Sequence, residues 1–533
     1  MEVRRTDERG VTTTMTKTGP RLRVVAAILA PLALLGALLS WALASPPGSS
    51  PDEDYHMASI WCAGGPSAGV CEETDSVEKR RLPADLVEAA LCFRFYSEQA
   101  ASCPLDEGMQ TTDRGNWNGH AYPPVFFQAM NVFVGDDLSI SIVAMRIVNS
   151  VLFVAVLTGL FVLLPRRQRH LLGWGTAISL VPLGMFLVAS VNPSGWSVLS
   201  AAGLWLAIWG FFEQSGAKKW MLAAMSAALV VIGAGARSDS AIYAVVAMAA
   251  GTVLAFRADR RFALHALLPL ALSVLSVVLF FSTGQSAIVS SDTAVDGKYP
   301  LSTLAFMDAK LLPQLWAGVF GLWGLGWLDT FMPGIVWITT LGLFCAVVFW
   351  GLRTGGIRKW LSLGGVAFCL VAVPMYILLH DNVVIGEYVQ PRYIYPLIII
   401  FGGVALAGVI RPNLGLSRLQ ITIAALGLAI ANSVALHVNI RRYVTGLDVQ
   451  SFNLDLQREW WWGGPVTPMM VWLAGSVAFT MAAAALAFLV WRRIDGQPVG
   501  LDHGQLVQVE DDVAVRRNGS QAVASPSSGV SVG

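Results

Sequence analysis

Charged residues are scarce in this sequence. Asp, Glu, Lys and Arg make up 13% of its 533 residues, and 55% of the residues are hydrophobic. Soluble domains carry roughly 25% charged residues, so the composition indicates an integral membrane protein. The net charge is only +1, and no basic stripe with interleaved aromatic residues occurs. We therefore expect no nucleic acid among the partners.

The motifs of several enzyme classes are also missing. The chain has no P-loop, no GxSxG, no HExxH and no GxGxxG that follows a strand. These absences exclude a nucleotide-hydrolysing active site and a serine-hydrolase active site.

Cysteine is rare, but four of the six cysteines fall in one polar segment: Cys62, Cys71, Cys92 and Cys103. An even, clustered set predicts two disulfides and an oxidising compartment. The simplest of three connectivities pairs the first with the second and the third with the fourth. Four free thiols or a metal site are the alternatives, and the lack of CxxC and of zinc-finger histidine spacing disfavours a zinc site.

Long apolar runs are abundant, and a membrane-spanning helix needs about 20 apolar residues. We count twelve such runs and predict an all-α polytopic membrane protein with about twelve transmembrane helices. The runs cover residues 22–45, 138–164, 172–191, 195–213, 219–236, 239–256, 262–283, 333–352, 360–379, 392–410, 419–438 and 468–490.

Every second connection between these runs is basic, and basic loops stay in the cytoplasm. We therefore expect a multi-pass plasma-membrane protein with a transmembrane domain at 22–490 and cytoplasmic termini. The tails are residues 1–21 and 494–533, and the second tail is expected to be disordered. The basic connections carry Arg166/Arg167/Arg169, Lys218/Lys219, Arg257/Arg260/Arg261, Arg353/Arg358/Lys359, Arg411/Arg418 and Arg492/Arg493.

Three longer connections then lie outside, at 46–137, 284–332 and 439–467. The first is a large extracytoplasmic loop that contains the four clustered cysteines, and it holds 13 Asp/Glu against 5 Lys/Arg between residues 46 and 121.

This loop opens on "PDEDYH", residues 51–56, the densest acidic cluster of the chain. If a helix starts near Pro51, Asp52, Tyr55 and His56 share one face and Glu53 points elsewhere. Asp52 or Glu53 could act as a general base on an acceptor hydroxyl, or hold a divalent cation such as Mg²⁺ or Mn²⁺. Acidic residues also favour the first turn of a helix, so a capping role stays open.

Arg146 and Asn149 lie inside the second apolar run. An arginine at this depth needs an ion-pair partner or a cavity, so Arg146 is either a functional cation or half of a structural pair. Asn192, in "SVNPSGW", either caps the next helix or faces a site.

Two other motifs bring arginine to the same outer face. "GARSDSA" carries Arg237 and Asp239, and "EYVQPRYIYPLI" carries Arg392 and Tyr393. Guanidinium groups bind phosphate well, whereas loop charges and a snorkelling arginine are the structural alternatives. Acids and arginines gathered at one face suit an anionic lipid-linked substrate that enters from the outer leaflet. Two further histidines are expected at the surface: His120 and His380.

The order of these features resembles the GT-C superfamily of polyprenyl-phosphate-dependent glycosyltransferases. "PDEDYH", "YPPVFF", "RIVNS", "NPSGW", "RSDSA" and "PRYIYPL" look most like an actinobacterial-type branch, a domain-of-unknown-function family of predicted membrane proteins. The resemblance covers roughly residues 22–410. It implies a GT-C-like fold and an inverting transfer of a sugar from a polyprenyl phosphate to an envelope glycan, lipid or protein acceptor.

On this resemblance Asp52 or Glu53 is the base, and Arg237 and Arg392 contact the phosphate. A bound Mg²⁺ or Mn²⁺ is compatible with it, although some members of the superfamily work without metal. The chain departs from the pattern in its triple acid, which leaves the base ambiguous. It also lacks a large C-terminal soluble domain, so acceptor binding must use the loops.

A twelve-helix transporter or flippase of an envelope precursor is the first alternative function. It predicts charges and broken helices near the bilayer midplane and two related halves. A non-catalytic envelope scaffold is the second alternative.

Overall fold

The computed structural model describes residues 20–117, 121–281, 283–284, 299–387 and 389–491. The expected tails lie outside these residues, except for Pro20 and Arg21, which begin the first helix. The helices are α1 (Pro20–Leu43), α2 (Glu53–Cys62), α3 (Ala84–Glu88), α4 (Val125–Asn131), α5 (Leu138–Leu163), α6 (Arg169–Leu180), α7 (Leu183–Val188), α8 (Ser194–Glu213), α9 (Gly216–Ala234), α10 (Ser238–Ala255), α11 (Arg260–His265), α12 (Leu267–Phe281), α13 (Leu301–Gly318), α14 (Gly334–Leu352), α15 (Ile357–Asp381), α16 (Pro391–Ala405), α17 (Arg418–Val444) and α18 (Pro468–Trp491).

Among the described residues, ten helices are long and apolar enough to cross a membrane. Nine of them are single helices, and the tenth, Arg260–Phe281, combines α11 and α12. The prediction of an all-α polytopic membrane protein is confirmed. Two of the twelve expected spans take another form.

The first of these is the run at 172–191, which the sequence predicts as one helix. It is divided at Pro182 into α6 and α7, where the missing N–H of proline removes a helical hydrogen bond. All six residues of α7 are buried. The broken span is therefore enclosed by protein and not by lipid.

The second is the run at 392–410, which forms the shorter helix α16. Its 15 residues rise about 22 Å, less than the roughly 30 Å of a hydrocarbon core. Nearly all of its side chains are buried, and it packs against α6, α8 and α15. Neighbouring helices, rather than lipid, surround this short helix at the centre of the bundle.

The segment after residue 299 does not cross the bundle. Helix α13 is not among the ten candidate spans, and the chain after it returns to the end where loop 46–137 lies. There Trp327 donates its indole N–H to the carbonyl of Gly48 at 2.9 Å, and Asp329 pairs with Arg442 at 2.8 Å. Most side chains of α13 are exposed or half-buried, and the loop after it packs against loop 46–137 and α17.

Loop 46–137 carries both expected disulfides, Cys62–Cys71 and Cys92–Cys103. The same loop forms a small antiparallel sheet, in the order β1 (Glu72–Glu73), β2 (Arg80–Pro83), β3 (Met109–Thr112). Helix α17 runs past its predicted end at residue 438 to Val444, and it anchors the loop. Arg442 on its last turn donates to the carbonyls of Phe93 and Gln99. We call this side of the bundle the loop end.

Candidate active site

The acidic cluster 52–54 lies where the chain turns from α1 into α2. Asp52 takes the left-handed conformation, with φ 59°, immediately before the first residue of α2. Left-handed backbone is uncommon outside glycine, and aspartate is one of the side chains that tolerate it. The turn directs the carboxylates of Asp52, Glu53 and Asp54 to three different surroundings.

Glu53 points into the protein and pairs with Arg146. The shortest distance between the two side chains is 3.1 Å, and they are 0% and 1% exposed. The carboxylate also accepts from the backbone N–H groups of Ser50 and Val191, both at 3.0 Å. Glu53 is therefore the centre of a buried, hydrogen-bonded cluster.

The two terminal nitrogens of Arg146 make further hydrogen bonds. It donates to the carbonyls of Ala42, Ser45 and Pro46, which end α1 and begin loop 46–137. The costly charge within α5 is thus neutralised by Glu53 and solvated by backbone oxygens, as a buried ion pair requires.

Asn149 and Asn192 extend this cluster. Asn149 donates to the carbonyl of Ser190 and accepts from the indole of Trp196, both at 2.9 Å. Asn192 accepts from the N–H of Ser194 and donates to the carbonyl of Pro51 at 2.9 Å. We call Glu53, Arg146, Asn149 and Asn192 the inner clamp, because together they tie the start of α2 to α5 and to the α7–α8 turn.

Asp52 points the other way, and its side chain is 33% exposed. Its carboxylate accepts from Arg392 at 2.5 Å and lies 3.7 Å from Arg114. Burial by itself raises the pKa of Asp52. The charge and hydrogen bond of Arg392, assisted by Arg114, outweigh burial and lower this pKa to about 2. Asp52 is therefore an accessible, ionised carboxylate at neutral pH.

Arg237 is the second arginine at this level. Its side chain is 3% exposed and makes two hydrogen bonds to Asp239, at 2.9 and 2.7 Å, and a longer one to Ser194. Its guanidinium lies 5.1 Å from the Tyr393 ring, and that of Arg392 lies 5.0 Å from the same ring. The two cations converge on one aromatic residue beside Asp52.

Asp54 occupies the third surrounding. It is 8% exposed and accepts from Arg94 at 3.2 Å and from Arg114 at 2.9 Å. Arg114 therefore bridges Asp54 and Asp52 from the far end of the loop. This network orders the rim around Asp52.

His56 lies one turn after Asp52, on the face that the sequence analysis assigned to both. It is fully buried, and neither ring nitrogen has a hydrogen-bond partner. The ring contacts Tyr55, Tyr122 and Phe127, with centroid distances of 5.7, 5.3 and 6.0 Å. Burial lowers the pKa of His56 to about 3, so the imidazole is neutral at physiological pH.

We call Asp52, His56, Tyr122, Arg237, Asp239, Arg392 and Tyr393 the outer cluster. Comparison with known families now places the chain. A family model described as "Predicted membrane protein (DUF2142)" matches residues 35–401. The chain belongs to the DUF2142 family. No curated protein and no solved structure matches it.

Every member of the inner clamp and the outer cluster falls within the matched part of this DUF2142 chain. Helices α17 and α18 and the segment 439–467 lie beyond it. The unit that carries the candidate site is therefore the unit that defines the family.

The DUF2142 chain offers a poor fit to a divalent cation at Asp52 and Glu53. Both carboxylates are engaged by arginines, and they point apart. Within the part of the chain that the structure describes, no three His, Cys, Asp or Glu side chains gather in a way that could hold a metal. We derive no step through Mg²⁺ or Mn²⁺.

The sequence analysis missed Arg114 and Tyr122 as members of this region. Nothing in their local sequence marks them, because each reaches Asp52 or Arg237 only through the fold of the loop. His380 is mainly exposed and pairs with Asp381, as a surface histidine would. His120 lies outside the described residues.

Proposed function

We propose that this protein is an integral membrane glycosyltransferase of GT-C type. It moves a sugar from a polyprenyl-phosphate donor to a cell-envelope acceptor, at the outer face of the plasma membrane. The acceptor is a glycan, a lipid or a protein of the envelope.

One observation carries the proposal. The partly exposed Asp52 carboxylate accepts from the buried Arg392, and Arg392 meets a second buried arginine, Arg237, at the Tyr393 ring. A base and a pair of cations are what transfer from a sugar phosphate needs. The base takes a proton from the acceptor, and the cations stabilise the leaving phosphate.

The reaction balances with these groups alone. The acceptor oxygen attacks the anomeric carbon and forms the new glycosidic bond, while the bond from that carbon to the phosphate oxygen breaks. The proton of the acceptor hydroxyl goes to Asp52, and the bonding electrons leave with polyprenyl phosphate, whose charge Arg237 and Arg392 offset.

Binding of the donor also tunes the base. Arg392 lowers the pKa of Asp52 through a direct hydrogen bond. A phosphate that shares Arg392 weakens this hold on the carboxylate, so the proton affinity of Asp52 rises when the donor is in place.

Geometry favours Asp52 over Glu53 as the base. Glu53 is 0% exposed, and Arg146 and two backbone N–H groups occupy both of its oxygens. Its contacts match a structural role for the inner clamp, in which Arg146, Asn149 and Asn192 position the turn that presents Asp52.

Placement of charge favours a transferase over a transporter. In the described helices, charged side chains lie within about two turns of a helix end, and Arg146 contacts the carbonyls that end α1. A transporter of the expected type would carry charges near the bilayer midplane.

The test is transfer from a labelled polyprenyl-phosphate sugar by the purified full-length protein in lipid nanodiscs. Envelope glycan, lipid and protein fractions serve as acceptors. Asp52→Asn should reduce transfer at least about 100-fold while lowering the thermal unfolding midpoint much less than Glu53→Gln does.

The matched control is Asp106→Asn, an exposed carboxylate of the same loop, which should transfer at the wild-type rate. Undiminished transfer by Asp52→Asn would remove Asp52 as the base. Failure of the wild-type protein to transfer any of the sugars tested would overturn the function itself.

A further inference from the structure

His56 is a buried polar side chain to which the proposed transfer gives no role. His56 is 0% exposed, and both of its ring nitrogens lack a hydrogen-bond partner. Buried polar groups in proteins are nearly always hydrogen-bonded, and leaving one unpaired costs free energy. Two such nitrogens on one ring indicate that this side chain hydrogen-bonds to a ligand.

The surroundings of His56 define the chemistry of that ligand. Its walls are the aromatic rings of Tyr55, Tyr122 and Phe127. Its own ring is uncharged at physiological pH because burial keeps it neutral. A neutral imidazole donates from one nitrogen and accepts at the other. Aromatic walls with one donor and one acceptor suit a neutral, hydroxyl-rich ring.

Tyr122 links the aromatic rings around His56 to the arginines of the outer cluster. The guanidinium of Arg237 lies 5.7 Å from the Tyr122 ring, and the ring of His56 lies 5.3 Å from it on centroids. The His56 ring also feels the charges of four groups: Asp52, Arg392, Arg237 and Arg114. His56 therefore borders the base and the proposed phosphate contacts at once.

We infer that His56, with Tyr55, Tyr122 and Phe127, forms the subsite for the sugar ring of the lipid-linked donor. The donor sugar is bonded directly to its phosphate, so its subsite must adjoin Arg237 and Arg392, and the aromatic cluster around His56 does so through Tyr122. His56 binds sugar hydroxyls with its two ring nitrogens. It is a positioning residue, and Asp52 remains the base.

The aromatic residues around His56 are held in place by hydrogen bonds. Asn116 accepts from the Tyr55 hydroxyl at 3.2 Å, accepts from the N–H of Tyr122 and donates to its carbonyl. One asparagine thus sets the spacing of the two tyrosines across the His56 ring. Such fixed walls select the ring by shape as well as by hydrogen bonds.

This inference rests on the proposed function, and binding measurements separate the two. The purified full-length protein in nanodiscs is titrated with two probes. One is bare polyprenyl phosphate, and the other is polyprenyl phosphate that carries a sugar, with mannose, glucose, galactose and arabinose tested in parallel. Tryptophan fluorescence reports binding.

His56→Phe keeps the aromatic volume and removes both nitrogens. It should weaken binding of the preferred sugar-bearing lipid about ten-fold and leave bare polyprenyl phosphate unaffected. His56→Gln, which keeps a donor and an acceptor, should recover part of that loss. Arg392→Gln is the control for the phosphate end and should weaken both probes.

Equal weakening of both probes by His56→Phe, or of neither, would overturn the sugar subsite. A wild-type protein that binds neither lipid would overturn the subsite and the transferase together. Selective loss in His56→Phe combined with undiminished transfer by Asp52→Asn would keep the subsite and overturn the assignment of the base.

Discussion

The three neighbouring carboxylates of residues 52–54 have three different roles. Asp52 is partly exposed and forms an ion pair with Arg392. Glu53 is buried in an ion pair with Arg146, and Asp54 holds the residues around Asp52 in place. Adjacent residues at the start of a helix point roughly 100° apart, since an α-helix has 3.6 residues per turn. A triple acid can therefore supply a reactive group and its support within a few ångströms.

The Glu53–Arg146 pair predicts a large stability effect at the residue scale. Glu53→Gln keeps the shape of the side chain but leaves the Arg146 charge buried without a counter-charge. We expect a loss of about 3–5 kcal/mol in the free energy of unfolding, measured by thermal and denaturant unfolding in detergent.

Two variants test the cause of that loss. Asp52→Asn removes a carboxylate that is partly in water, so it should cost much less. Combining Glu53→Gln with Arg146→Met should recover stability relative to Glu53→Gln alone. If Glu53→Gln were as stable as the wild type, the inner clamp would not be a stabilising unit.

At the scale of elements, loop 46–137 is joined to the bundle by the end of α17. Arg442 holds the carbonyls of Phe93 and Gln99, and the N–H of Ala101 donates to the carbonyl of Tyr443 at 2.9 Å. The Cys92–Cys103 disulfide closes the segment that makes these contacts. Its place in the fold differs from that of Cys62–Cys71, which follows α2.

Removing either disulfide should lower stability by a similar amount, but the two removals should differ in how they affect proteolysis of the loop. Each closes a short segment, with sequence separations of 9 and 11, so each double Cys→Ser variant should lose a similar amount, about 3 kcal/mol. Only the Cys92→Ser/Cys103→Ser variant should loosen the Arg442 contacts and speed tryptic cleavage after Arg94. Equal cleavage rates in both variants would contradict this.

At the scale of the whole molecule, the two ends of the helix bundle carry different charged groups. The candidate site and the disulfides lie at the loop end, and the basic connections that follow α5, α8 and α10 lie at the other. The positive-inside rule then predicts that the site lies outside the cytoplasm, where disulfides persist and where the proposed outer-leaflet donor would be accessible.

Single-cysteine labelling tests this orientation. Cys345 and Cys369 are the free cysteines and would be replaced by serine. Val77→Cys, in the exposed part of the loop, should react with a membrane-impermeant maleimide in intact cells, whereas Lys218→Cys should react only after permeabilisation. The reverse pattern would invert the topology and remove access to an outer-leaflet donor.

Much of the fold follows from local sequence. Ten of the twelve expected spans recur as long apolar helices because about 20 apolar residues leave few alternatives in lipid. The run at 172–191 and the helix at 392–410 deviate because Pro182 interrupts one and protein neighbours shelter the other. Pro182 is part of the run itself and could have been read from it, whereas the shelter of the short helix depends on the neighbours that surround it, which its own residues do not record.

The sequence by itself determined the membrane class, and it predicted two disulfides in the first loop and the gathering of Asp52, Arg237 and Arg392 at one end of the bundle. Apolar length, cysteine spacing and loop charge are local quantities, so they can be read along the chain. Only the tertiary structure decided that Arg146 takes Glu53 rather than a ligand, that Asp52 stays accessible, and that His56 is buried without a partner. These outcomes depend on residues about 90 to 340 positions apart meeting in space, and no local pattern encodes such pairings.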